Sequence, residues 1–356
     1  METSEKEEEK SSSKKDKPKK GLSEEQISKK KEILTKILKY GSNRERKDAM
    51  REVIHFPPEH SLELYQLISN ILITDNDMGV KITCLRTLAE VKYTAEPQNI
   101  ISSLEDKSED VKEAAIFTIQ KLKIEQSSPD LLKLIKNQDF TKHQRLTSNA
   151  ITAISELESG KDASEFLETK FKEKTTNTNL RASIALFFGK VKDPRAENAL
   201  IETALDESED PMTRAYSVNA LAKMNSQKSI EKIKSVLDKI NETKSKLEVK
   251  RLSNLKIYCI AALVTLGDTE ILKDLISYAK DDDPNVRLRA IKQLAEINNP
   301  EVFELIDYKA NRDPSRKVQE VAKKLLEEMK KRYNPGETKT GENGSGEAEI
   351  KKADAK

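Results

Sequence analysis

The feature that most constrains the fold is a motif that returns down the chain every 31–42 residues. Residues 281–297 read DDDPNVRLRAIKQLAEI, where a small residue, Ala290, is followed by Ile291 and then by Leu294. Small or apolar, then aliphatic, then large apolar three places on: the same arrangement occurs at Ala49-Met50-Val53, Cys84-Leu85-Leu88, Ala115-Ile116-Ile119, Ala150-Ile151-Ile154, Ile184-Ala185-Phe188, Ser217-Val218-Leu221 and Cys259-Ile260-Leu263. Ala322-Lys323-Leu326 completes the set with Lys323 in the aliphatic place. The steps between these sites are 35, 31, 35, 34, 33, 42, 31 and 32 residues. Such spacing puts three residues on one face of a helix. One short helix cannot bury that face alone, so nine copies must stack on one another.

A second amphipathic segment precedes each copy, as in PDLLKLIKN (129–137), RAENALIETAL (195–205), TEILKDLISYA (269–279) and EVFELIDYK (301–309). These preceding segments are named A helices here, and the aligned ones B helices. Strand-type alternation is missing, so the expected fold is all-α: a right-handed α-solenoid of about nine helix pairs. Asp210-Pro211, Asp283-Pro284 and Asp313-Pro314 read as B-helix starts, and Asp193-Pro194 as an A-helix start. In each, a capping carboxylate precedes a Pro suited to the first helical position. Gly41, Gly160, Gly267 and Asn298-Asn299 mark boundaries between units.

The motif Asp-Pro-x-Val-Arg-x-x-Ala-Ile-x-x-Leu of residues 283–294 resembles the HEAT repeat, in particular the HEAT-like subtype of phycobilisome bilin lyases. The resemblance runs over about residues 24–332 and is clearest in unit 8. It implies a solenoid and, for most of the subtype, an adaptor or scaffold role; a few members carry or modify a ligand. Fold does not fix function.

Composition agrees with a thin architecture. Only 36% of the 356 residues are hydrophobic and 4% aromatic, while 35% are charged. The 64 basic and 62 acidic residues are interspersed, so the basic footprint of a nucleic-acid binder is absent. No apolar run is long enough to span a membrane. The first residues as given carry no apolar signal segment, which sets a cytoplasmic expectation, or a periplasmic or secreted one if residue 1 follows a removed signal peptide. Residues 1–23 and 333–356 are charged, poor in aliphatics and expected to be disordered tails around a solenoid of residues 24–332. The polybasic run KKDKPKK (14–20) reads as part of a solvated tail. The long step between units 6 and 7 places its surplus in KINETKSKLEVKRLSN (239–254), through either an extended A helix or a protruding loop.

Few residues invite a chemical role. The position after the Val of the motif is basic in seven units: Arg46, Lys81, Lys112, Arg181, Arg214, Lys256 and Arg287. This column lies at the edge of the core face and is expected to be structural, each cation bonding an Asp or a carbonyl at a neighbouring helix end. A phosphate groove would want a clustered excess of positive charge. Cys84 and Cys259 hold the small-residue position of their B helices and are expected to be core filler. His55, Glu59 and His60 in HFPPEH are more simply a turn between units than a metal site, which needs three or four convergent ligands. No metal, cofactor or catalytic group is expected.

The positions two, three and six after the Val point away from the core arc. They are polar at Thr83, Arg86, Arg289 and Lys292, and apolar at Phe117, Leu186, Tyr216 and Tyr258. An apolar stripe rimmed by charge suits a protein partner in the concave groove, unless the rings tuck against the next unit. The expected function is therefore a non-catalytic interaction scaffold or adaptor. The alternatives are a ligand-holding lyase- or chaperone-like protein and, less favoured by the charge balance, a nucleic-acid-binding solenoid.

Overall fold

The computed structural model describes residues 23–297 and 299–333. The expected tails therefore lie outside the described residues, but for Ser23 and Tyr333. Nine helix pairs follow one another among the described residues. Repeat 1 pairs α1 (Glu24–Tyr40) with α2 (Asn43–Val53), repeat 2 pairs α3 (Leu62–Thr74) with α4 (Met78–Glu90), and repeat 3 pairs α5 (Pro97–Ile101) with α6 (Glu109–Leu122). Then come α7 (Ser128–Lys136) with α8 (Arg145–Ser155), α9 (Ser164–Lys172) with α10 (Thr178–Val191), and α11 (Glu197–Leu205) with α12 (Pro211–Lys223). The last three are α13 (Ile230–Glu242) with α14 (Lys246–Thr265), α15 (Leu272–Tyr278) with α16 (Pro284–Leu294), and α17 (Pro300–Arg312) with α18 (Arg316–Tyr333). Each of the nine aligned sequence sites falls on the second helix of its pair, and the all-α repeat class expected from them is the one observed.

The helices group into two compact units, one ending at Ile124 and one beginning at Glu125. Within each, B helices pack on B helices and A helices on A helices, giving two layers. In the second unit the core of repeats 6 and 7 and that of repeats 7 to 9 share Leu237 and Ile271 at their margins. The core is thus continuous through repeats 6 to 9, as a stacked array requires. No described helix is long and apolar enough to cross a membrane.

The helix starts follow the capping chemistry, with one correction. Asp210 accepts from the backbone of Met212 at 2.8 Å, Asp283 from Asn285 at 2.8 Å and Asp193 from Arg195 at 3.1 Å. Asp313 does not cap α18. It closes α17, and its carboxylate faces two cations, Arg287 and Lys309, while α18 begins at Arg316. The surplus in 239–254 also differs from both expectations. It is neither a longer A helix nor a loop: α13 ends at Glu242, Ser245 caps the next helix, and the extra residues lengthen the B helix α14 at its start.

Gly267 ends α14 with φ +115, a backbone state that L side chains rarely adopt. Gly189 serves packing instead: a Cβ there would stand 2.9 Å from the Ala220 Cα, so α10 and α12 meet nearly backbone to backbone.

The last B helix is two-faced. Val318, Ala322, Leu326 and Met329 are buried, whereas Lys323, Lys324, Glu327, Lys330 and Lys331 are exposed. A terminal repeat needs such a polar outer side. Deleting residues 314–333 should therefore uncover Ala290, Ile291 and Leu294 beneath α18 and drive aggregation, followed by light scattering on heating. Unchanged scattering and melting would show that α18 seals nothing.

Candidate functional site

Four cations of the basic column reach across to a carboxylate in the next repeat. Arg46 pairs with Asp75 at the end of α3, and Lys81 with Asp106, 2.7 Å away beyond α5. Arg181 pairs with Glu209 in the turn before α12. Arg287 grips Asp313 bidentately, at 2.9 Å through Nε and 2.8 Å through an Nη. These are charge-assisted bonds in buried or part-buried surroundings, where a missing partner is expensive. The arginines also satisfy helix-end carbonyls: Arg181 donates to Phe171 O at 2.9 Å, and Arg287 to Asp281 O and Asp282 O, each at 2.9 Å. The Arg181 guanidinium further lies 5.3 Å from the centroid of the Phe171 ring.

Acidic partners recur because the A–B turns share one piece of local chemistry. Asp75, Asp106, Asp206, Asp281 and Asp313 each accept the backbone N–H two residues on, at 2.8–3.0 Å. This side-chain turn reverses the chain and, at Asp75, Asp106, Asp206 and Asp313, fixes a carboxylate that pairs with a cation of the neighbouring repeat. Lys112 and Lys256 are half-exposed members of the same column. Arg214 is buried, and its one side-chain hydrogen bond within the described residues runs from Nε to Ala204 O at 3.0 Å.

The apolar stripe divides in two. Phe117 (51% exposed) and Leu186 (43% exposed) project from α6 and α10. Tyr216 and Tyr258 are half-buried and pack edge to face across α12 and α14, with centroids 5.7 Å apart. Burial raises both phenols, Tyr258 to about 12, while the positive charge of Arg289 on the next B helix opposes the rise. Tyr216, Tyr258 and Arg289 thus stand at one register position of three successive repeats. In repeats 5 to 7 the position two after the Val is not outward as expected: Ala182, Ala215 and Ile257 there are buried, whereas Lys47, Ile82, Glu113, Ser148 and Leu288 are half-exposed and Glu320 exposed. A B helix inside a stack touches two other B helices, so its buried arc is wider than one face.

The remaining candidates are inert or scattered. Cys84 and Cys259 are buried free thiols, and burial raises both, Cys259 to about 12. His60 approaches Glu24 at 3.8 Å, and no group of three His, Cys, Asp or Glu able to hold a metal ion occurs among the described residues. Sequence reasoning missed a further cluster between α9 and the turn after α7, where the Lys170 ammonium lies 5.8 Å from the Phe140 ring centroid and 5.9 Å from that of Phe166.

Residues 245–327, from the cap of α14 into α18, match the HEAT-repeat family. Those residues carry HEAT repeats. The phycocyanin lyase complex of CpcE and CpcF from Nostoc sp. PCC7120 shares the fold at a TM-score of 0.50 and 18% identity, over 66% of this chain and 88% of that one. Looser likenesses are a Kap121p mutant (TM-score 0.47, 11% identity, 88% of this chain and 38% of that one) and an engineered protein (0.40, 17%, 86% and 91%). No curated protein sequence matches the chain. The resemblance carried by residues 283–294 therefore holds within the matched segment, and the phycocyanin lyase complex shares the fold alone.

Proposed function

We propose that this HEAT-repeat chain is a non-catalytic scaffold that binds a partner polypeptide on the outward face of its B helices. The observation that carries the reading is the Tyr216–Tyr258 pair. Two aromatic rings, braced edge to face on adjacent helices, form a rigid amphipathic platform. Leu186 lies exposed one repeat before it and Arg289 one repeat after. Preordered rings lose little side-chain freedom on binding, and Tyr and Arg are enriched among residues that dominate interface energies. Phe117 is the corresponding exposed anchor of the first unit. A ligand-holding lyase reading would want an accessible thiol, and both thiols here are buried and held protonated.

Affinity capture from the native cell, with mass spectrometry, would supply the partner. Tyr216→Ala and Tyr258→Ala should then each weaken the complex about tenfold or more. Stability should fall only by about 1 kcal/mol, the worth of the lost ring–ring contact. A fall of several kcal/mol with affinity intact would make the rings packing between repeats and end the reading.

A further inference from the structure

Lys112, Arg214 and Lys256 form no ion pair with the next repeat among the described residues, and of the three Arg214 is the buried one. Where Arg181 meets Glu209 and Arg287 meets Asp313, Arg214 meets no carboxylate. The cause is the lengthened helix. Helix α14 starts nine residues before Leu255, while α12 and α16 start two residues before the equivalent Thr213 and Val286. Seven extra residues carry the A–B turn of repeat 7 outward by about 10 Å. The turn that supplies the acid in other repeats is thus displaced, and it holds Thr243 at the end of α13, where Asp75 and Asp313 end α3 and α17. Arg251 now stands four residues before Leu255, the place that Glu209 takes before Thr213. The charge at that place is reversed.

A cavity of about 320 Å³ results, lined by Arg214, Arg251, Lys239, Thr243 and the apolar Val236, Ile240 and Leu252. We propose that this cavity binds a carboxylate, which Arg214 and Arg251 hold in place of the acidic side chain that the chain itself supplies to Arg46, Lys81, Arg181 and Arg287.

Arg214 is only 5% exposed, its Nε is bonded to the Ala204 carbonyl, and the guanidinium lines the cavity, where its remaining N–H donors can take an acceptor. Burial draws it below its ordinary value, the nearby Glu207 and Asp206 oppose that pull, and Arg251 adds a smaller lowering. The glutamates of the wall do not serve. Glu207 is tied to Lys239 at 2.6 Å, Glu248 to Arg251 at 2.7 Å, and Glu209 to Arg181 and Lys174. Glu242, at the mouth, is exposed and forms no ion pair with Arg214. Four wall carboxylates favour a singly charged group over a phosphate dianion. The site is independent of the tyrosine platform, whose rings do not line it.

The test follows the arginine Nε–Hε signal of Arg214 by NMR in the full chain, assigned by its loss in Arg214→Gln. The probes, at constant ionic strength, are sodium propionate, the peptide acetyl-Gly-Glu-Gly-amide, its Gln counterpart and inorganic phosphate. Propionate and the Glu peptide should shift the signal in a saturable way, and the Gln peptide should not. A Glu peptide binding about tenfold tighter than propionate would mark an acidic side chain as the natural source, and the reverse order a free acid. Since Arg214 is buried and its variant may not fold, Arg251→Glu on the half-exposed helix start is the second variant. It should stay folded by circular dichroism and weaken both probes about tenfold or more. An unmoved signal, an unchanged response in Arg251→Glu, or tighter binding of phosphate would overturn the proposal.

Discussion

Replacing Asp313 by Ala is expected to lower stability by about 3–5 kcal/mol, because it strips the counter-charge from two buried cations at once. Arg287 is 5% exposed and Lys309 7%, and both point at this one carboxylate. Arg287→Ala should cost less, about 1–3 kcal/mol, since Lys309 still neutralises Asp313. The pair also sets a pH dependence. Burial alone would raise the Asp313 carboxyl, but Arg287, the Ser315 amide and Lys309 outweigh it and hold it at about 2 against an ordinary value of 3.8. A depressed carboxyl stabilises the fold above its unfolded value and loses that contribution as pH falls through the folded one. The contribution, on the order of 2 kcal/mol, should therefore be complete above about pH 4 and fade toward about pH 2. Urea midpoints of the wild type and Asp313→Asn should converge over that window. Parallel midpoints down to pH 2 would show that the carboxylate is not the linked group.

The repeat was legible because it rests on helix periodicity, which is local. Each aligned triple is buried, from Met50 and Val53 through Leu294, apart from Lys323 in the polar side of the last helix. The basic column could be read as far as its cations. Its acids could not all be placed, because Asp313 was read as a cap for the helix after it, and the A–B turns that hold the carboxylates follow no fixed count. The 42-residue step showed that residues were added, yet their helical state depended on Ser245 capping a helix whose first turns, with Leu247 and Val249 exposed, show no core pattern. The cavity at Arg214 could have been found from Arg251 standing where Glu209 stands one repeat earlier. The buried state of Ile257 and Ala215 lay beyond a wheel drawn for one helix, since it depends on the next helix in the layer.

Phe188→Ala should be the costliest single truncation, at about 3–5 kcal/mol. The aligned triple of repeat 5 is the one that places an aromatic ring at its large apolar position, and Phe188 is fully buried there. Its ring meets Phe187 edge-on at 5.3 Å and Phe171 at 6.2 Å, joining α9 to α10. The surroundings have little freedom to close over a void. Phe171 is pinned under the Arg181 guanidinium, and α10 already touches α12 at Gly189 and Ala220. A cavity that cannot collapse keeps the loss of dispersion contacts as well as the transfer term. Truncating the exposed Phe117 should change stability by no more than about 0.5 kcal/mol, which makes it the control for loss of a ring as such. Urea denaturation of the two variants side by side would decide. Equal losses, or a Phe188→Ala loss below about 1 kcal/mol, would mean that repeat 5 repacks freely and that the close approach at Gly189 does not hold the layers rigid.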